Sequence, residues 1–384
     1  MKKKIISFVM LATMMFSLAA CGGKANQSTS TNKNESSSSK ENIAEISEET
    51  ADKKSDIEIK IACLLPSGVV PRWAQDYSII EKYCNENGYQ SQAIYADDDV
   101  ATQIQQIESY VSKGYNAIII VPVDGEAVSA AVAKAREQGV AVVSFDRMVK
   151  NTEIDYYATF DNFGVGAADG QYVVDALNLD NTDGPYNIEL FTGDIADNNA
   201  LLTYEGMMSV LQPYIDEGKL VVKSGQTEYE QVCTESWDSE KAQKRMENIL
   251  SGYYANDTID AVCTTYCGMA LGSITALKSA GYGTADKPLP ITTGQDAEVA
   301  ACKSILNGEL TMSILKDDRV LCPIAVDMCV AAVTGQEYPV NDTETYDNGA
   351  GTLKTYLGDI TPFDLNNFDE VIYESGFFTE EDLK

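Results

Sequence analysis

Behind Lys2, Lys3 and Lys4 the chain runs apolar from Ile5 to Ala20. That run is short of the ~20 residues that a membrane-spanning helix needs. It ends in Leu18-Ala19-Ala20-Cys21-Gly22-Gly23, and small residues before a cysteine mark the signal peptide of an exported lipoprotein. Residues 1–20 are therefore expected to be removed and the Cys21 thiol to carry lipid of the palmitate kind. The next stretch, residues 21–55, is almost entirely polar and includes Ser36-Ser37-Ser38-Ser39. It cannot bury enough surface to offset its chain entropy, and as a disordered tether it would reach on the order of 30 Å.

From Ile57 the pattern changes. Apolar runs at Ile57–Leu65, Ser91–Tyr95, Ala117–Val121 and Val140–Ser144 alternate with helical spacing over 72–87, 101–112 and 126–138. After Tyr157–Phe160 the rhythm restarts, with strands at Asn187–Phe191, Leu220–Val222, Ile259–Cys263, Ile291–Thr293 and Thr311–Leu315. Helices are predicted between them, at 165–177, 201–211, 240–250 and 270–280, and after the last, at 319–333. Short apolar strands joined by helices that stop at glycine predict parallel sheets covered on both faces. The body is too long for one comfortable core, so two such α/β units are expected.

Composition then removes several kinds of chemistry. Fifty-nine acidic residues against 28 basic ones leave a net charge of −31, a field that repels phosphate backbones and argues against nucleic acid. With no histidine, a Ser-His-Asp or Cys-His nucleophile system and a His-ligated metal are impossible. The nine cysteines form no CxxC pair and match no zinc spacing. Cys63 and Cys263 lie in strand-like runs, as small buried hydrophobes do. Asp183-Gly184 and Asp286 lack the calcium-loop spacing. No metal and no cofactor is expected.

In open parallel sheets, ligands lie beyond the carboxyl ends of the strands. Here those ends carry Arg72-Trp73, Ser144-Phe145-Asp146-Arg147, Thr159-Phe160-Asp161-Asn162, Asp197-Asn198-Asn199-Ala200, Tyr266-Cys267-Gly268, Gly294-Gln295-Asp296-Ala297-Glu298 and Lys316-Asp317. Any one Asp or Asn is equally a helix cap, but the recurrence points to one polar site.

These motifs, in this order from about Ile57 to Leu383, resemble the type I periplasmic sugar-binding proteins, in particular the xylose-binding and multiple-sugar-binding group. The resemblance implies two lobes, each an open parallel sheet with helices on both faces. Residues 57–159 plus 317–350 would form one lobe and 160–316 plus 351–384 the other. Three hinge crossings are implied, near Thr159, Lys316 and Gly351. It also implies a monosaccharide of the xylose, glucose, galactose or arabinose type clamped between the lobes. Trp73 and Trp237 would stack on its faces. Arg72, Asp146, Arg147, Asp161, Asn162, Asn199, Tyr266, Asp296 and Lys316 would meet its hydroxyl rim with charge-assisted hydrogen bonds. One departure is Tyr266-Cys267-Gly268, where relatives carry an Asp before the helix; it leaves the identity of the sugar open.

Such a chain is expected to be a monomeric receptor, not an enzyme, held at the outer face of the cell membrane by lipid on Cys21. It would deliver its sugar to the transmembrane permease subunits of an ABC importer. A second reading gives the output to a chemoreceptor or sensor kinase. A third is a glycoside hydrolase with Asp161 and Asp296 as its two carboxylates.

Overall fold

The computed structural model describes residues 57–68 and 70–384. The expected signal segment, Cys21 and the tether to Ser55 lie outside these residues. The first sheet begins with β1 (Lys60–Leu65), α1 (Arg72–Asn87), β2 (Gln90–Tyr95), α2 (Val100–Ser112), β3 (Ala117–Ile120), α3 (Ser129–Glu137), β4 (Ala141–Phe145) and β5 (Tyr156–Phe160). The rhythm then repeats as α4 (Asn162–Ala176), β6 (Tyr186–Phe191), α5 (Asn198–Asp216), β7 (Leu220–Val221), the short α6 (Tyr229–Val232), α7 (Ser239–Tyr253), β8 (Ala261–Thr264), α8 (Cys267–Ser279), β9 (Ile291–Thr292) and α9 (Val299–Leu306). Last come β10 (Met312–Lys316), α10 (Asp318–Thr334), β11 (Thr355–Gly358) and β12 (Ile360–Asp364).

The first sheet has the order β11-β5-β4-β3-β1-β2, all neighbours parallel. The second has the order β7-β6-β8-β9 and is likewise parallel. Beside β9 runs β10, joined through Thr311 N–H to Thr292 O, Ile314 N–H to Gly294 O and the Gln295–Ile314 bridge. Strand β12 closes that edge antiparallel to β10, so the second unit is not wholly parallel. Pro362 sits opposite Ile314, and an edge strand is where proline is tolerated.

Period-two alternation decides the layering. Ile61, Cys63 and Leu65 of β1 enter one core cluster, and Ala62 and Leu64 enter another across the sheet. In the second sheet Val262 faces one cluster and Ala261 and Cys263 the opposite one. Both faces of each sheet are therefore covered, as all-parallel strands require.

The chain passes between the two sheets three times: from β5 into α4, from β10 into α10, and from β11 to β12 at Asp359. The third passage is displaced from the expected Gly351, because β11 is still hydrogen-bonded to β5. No helix among the described residues is long and apolar enough to cross a membrane.

Candidate functional site

The carboxyl ends of both sheets converge on one cavity, with about 330 Å³ of space between atoms, part of it open to solvent. Val70, Arg72, Trp73, Asp146 and Arg147 line it from the first sheet's side, and Asp197, Asn199, Trp237, Tyr266, Gln295 and Asp296 from the second's; Lys316, at a passage between them, completes the wall.

Local backbone conformation aims several of these groups. Among the described non-glycine residues, Asp146 (φ 57°), Trp237 (φ 55°) and Asp296 (φ 88°) are left-handed, as are Ser236 (φ 58°) and Ala297 (φ 44°) beside them. Such conformations cost of order 1–3 kcal/mol each and persist where surrounding structure enforces them for function. Trp237 shows the enforcement. Its ring lies against Gly193, where an added Cβ would stand 2.0 Å from the indole. Its edge meets Tyr266 at 6.0 Å and 87°, and its Nε1–H donates to Asp197 Oδ2 at 3.1 Å.

The rim is a charge network. Arg72 donates to Asp318 through Nε at 3.1 Å and Nη2 at 2.9 Å. Its Nη1 lies 2.8 Å from Asp146 Oδ2 and 3.5 Å from Asp296 Oδ1, and its Nε lies 3.5 Å from Asp76 Oδ2. Lys316 Nζ is 2.7 Å from Asp296 Oδ1 and 3.8 Å from Asp146 Oδ2. Burial opposes the Arg72 charge, but Asp146, Asp318, Asp76 and Asp296 outweigh it and hold the group well above its usual value. Burial likewise opposes the Asp146 carboxylate, yet Arg72, Lys316 and Arg147 hold it below the ordinary range. Burial and the neighbouring Asp318 push Asp76 well up.

Two contacts tie the sheets together across the cavity. Arg147 Nε is 2.9 Å from Asp197 Oδ2, and Asn199 Nδ2 donates at 3.0 Å to both the main-chain oxygen and Oδ1 of Asp146. The Arg72 and Arg147 guanidinium groups also lie over the Trp73 ring, 5.2 and 5.5 Å from its centroid. Trp73 Nε1, Asn199 Oδ1 and Gln295 Oε1 are buried with no partner among the described residues. On a cavity wall, such groups are matched to a ligand with many donors and acceptors.

The cavity thus gathers Arg72, Trp73, Asp146, Arg147, Asn199, Trp237, Tyr266, Asp296 and Lys316 from the residues picked out in the sequence. It does not include Asp161 or Asn162. Asp161 caps α4, accepting from Gly164 N–H at 2.8 Å, and faces a separate groove with Phe163 and Tyr346. Asn162 is fully buried and donates to Thr159 Oγ1 and Phe160 O, each at 3.2 Å; it braces the passage from β5 to α4. Sequence reasoning missed Val70, Asp197 and Gln295. The last two sit inside quoted strand-end motifs, and their position was the available signal. Cys267 makes no cavity wall: its thiol donates to Ser313 Oγ at 3.1 Å, and α8 has no side-chain cap.

Comparison with known proteins identifies the family. The family model described as periplasmic binding protein domain matches residues 61–337. The chain is 44% identical over 325 residues to the multiple sugar-binding periplasmic protein SbpA of Azospirillum brasilense, covering 84% of this chain and 91% of that protein. It is 33% identical over 328 residues to the D-xylose-binding periplasmic protein of Escherichia coli K12, covering 85% and 93%. Among solved structures, an ABC transporter solute binding protein from Clostridium phytofermentans with bound β-D-glucose superposes with a TM-score of 0.81 at 42% identity, over 85% of this chain and all (100%) of that one. By sequence and fold, the chain belongs to the periplasmic binding protein family, in its type I sugar-binding group.

Proposed function

We propose that this protein is a lipid-anchored, monomeric extracytoplasmic receptor that captures a monosaccharide of the xylose, glucose, galactose or arabinose type and delivers it to an ABC importer. One observation carries the reading: both sheets contribute strand ends, a tryptophan each and paired charges to a single cavity. An aromatic face can cover the C–H patches of a pyranose, while Asp146, Asn199, Asp296 and the cations meet its hydroxyls with charge-assisted bonds. The lobes meet at the passages 160–162, 316–318 and 358–360, and these act as the hinges. The Arg147–Asp197 and Asn199–Asp146 contacts exist only when the lobes are together, so binding that draws them together selects the closed form. A permease then reads that closed shape. The arrangement favours a receptor over a hydrolase, because Asp161 caps a helix outside the cavity and no Asp161–Asp296 carboxylate pair flanks one ligand.

Calorimetry against pentoses, hexoses and sugar acids tests the reading. Micromolar affinity corresponds to about 8 kcal/mol, and a panel with no saturable binder would end it. The anchor is tested separately. Cys21→Ser is expected to leave ligand affinity intact and release the protein from the cell surface; retention of the variant would remove Cys21 from the mechanism.

A further inference from the structure

Among the described residues, the cavity wall carries three cations, Arg72, Arg147 and Lys316, and three carboxylates, Asp146, Asp197 and Asp296. The cations are only 4%, 7% and 3% exposed, so little water screens them. Each already faces a carboxylate. Arg72 directs Nη1 to Asp146 and both Nε and Nη2 to Asp318. Arg147 Nε is committed to Asp197, and its Nη1 donates to Pro122 O at 3.4 Å. Lys316 Nζ is committed to Asp296. Behind the wall, Arg72 also serves Asp76 and Asp318. The whole cluster thus sets five carboxyl groups against three cations, and with both rear groups protonated the wall is balanced at three against three. The wall groups left without a partner are dipoles instead. Asn199 Oδ1 and Gln295 Oε1 are buried acceptors, and the Trp73 Nε1–H is a buried donor. A hydroxyl satisfies either kind, whereas an ionised carboxylate only accepts.

We propose that the site selects uncharged monosaccharides and rejects the corresponding sugar acids, because every cation in its wall is already neutralised by a carboxylate of the protein. The proposal rests on the sugar-binding reading of the cavity and narrows it. A carboxylate brought in on a sugar has two places to go. It lies against Asp146, Asp197 or Asp296 and is repelled. Otherwise it draws a cation away from one of them and leaves that carboxylate buried and unpaired, which is strongly unfavourable. Neutral hydroxyls meet neither cost and can supply the donors that Asn199 and Gln295 lack. Selectivity of this kind comes from what the site refuses as much as from what it holds.

Calorimetry of the full chain at neutral pH with D-glucose, D-glucuronamide and D-glucuronate reads the effect of charge. The last two have nearly the same shape and differ in the charge on the exocyclic group. D-Glucuronate is expected to bind about 100-fold more weakly than D-glucuronamide, or worse. Asp197→Asn frees the charge of Arg147 and should narrow that gap several-fold; should this variant not fold, the comparison in the parent decides. D-Glucuronate binding within about threefold of D-glucuronamide overturns the proposal, and so does a gap that Asp197→Asn leaves unchanged. If D-glucose binds but neither exocyclic derivative fits, acetate and inorganic phosphate at tens of millimolar become the anionic probes. Neither should change the Kd for D-glucose relative to chloride, and competition by either overturns the proposal. Failure of D-glucose and the whole sugar panel to bind instead overturns the underlying reading, and the two failures are distinct.

Discussion

Replacing Arg72 with methionine is expected to lower the free energy of unfolding by about 3–5 kcal/mol, the usual cost of removing one partner from a buried ionic network. Methionine keeps an unbranched apolar stem while deleting the charged end. What remains is Lys316 beside Asp146 and Asp296, in a cluster that also holds Asp318 and the fully buried Asp76. Asp76 and Asp318, whose values burial already raises, lose the cation that opposed this and hold protons more firmly. Stability linked to a raised value is present at low pH and lost as pH rises through it. The loss measured by denaturant titration should therefore be larger at pH 8 than at pH 5. In the parent protein Asp146 runs the other way: its value is lowered, so its contribution is present near neutrality and lost in acid. A change under about 1 kcal/mol at both pH values, far below the expected range, would mean that the network contributes little to folding.

Trp237→Ala is expected to weaken sugar binding on the order of 30- to 100-fold, or about 2–3 kcal/mol, as for a buried aromatic anchor at the centre of an interface. The ring is held on three sides, by Gly193, Tyr266 and the Asp197 carboxylate. Asp197 also receives Arg147 from the opposite lobe, so deleting the indole removes a wall and loosens a contact that favours the closed form. Trp237→Phe keeps a stacking face but loses the Nε1–H donor, and its affinity should fall between the two. A Kd for Trp237→Ala within twofold of the parent would place this ring outside the ligand site.

The parallel strands and the strand-end location of the cavity were legible because apolar runs alternating with glycine-stopped helices admit few other arrangements. The choice among polar residues at those ends was less legible, since an Asp after a strand signals a helix cap and a ligand group equally. Asp146 lines the cavity and Asp161 caps α4, and what sets them apart is the left-handed backbone at Asp146, which no residue pattern announces. The same holds at Ser236-Trp237, where two successive left-handed residues turn the indole into the cavity. Asp197, two residues before Asn199, caps α5 and also pairs with Arg147, and its strand-end motif alone announced neither. The last passage, which the resemblance implied near Gly351, falls later because Thr355–Gly358 still pair with β5.

The three passages also constrain the order in which the molecule can be made. Strand β11, the edge of the first sheet, and helix α10, which packs on α1, β3, β4 and β5, are both encoded after the whole of β6 to β10. Domains commonly fold as units as their segments emerge, but here the first lobe stays incomplete until about residue 358 has emerged. The second lobe lacks only its edge strand β12 and the closing C-terminal segment by then. Neither half corresponds to a contiguous fragment, and a ribosome or an export channel releasing the chain from its N-terminus hands over both lobes almost at the same moment.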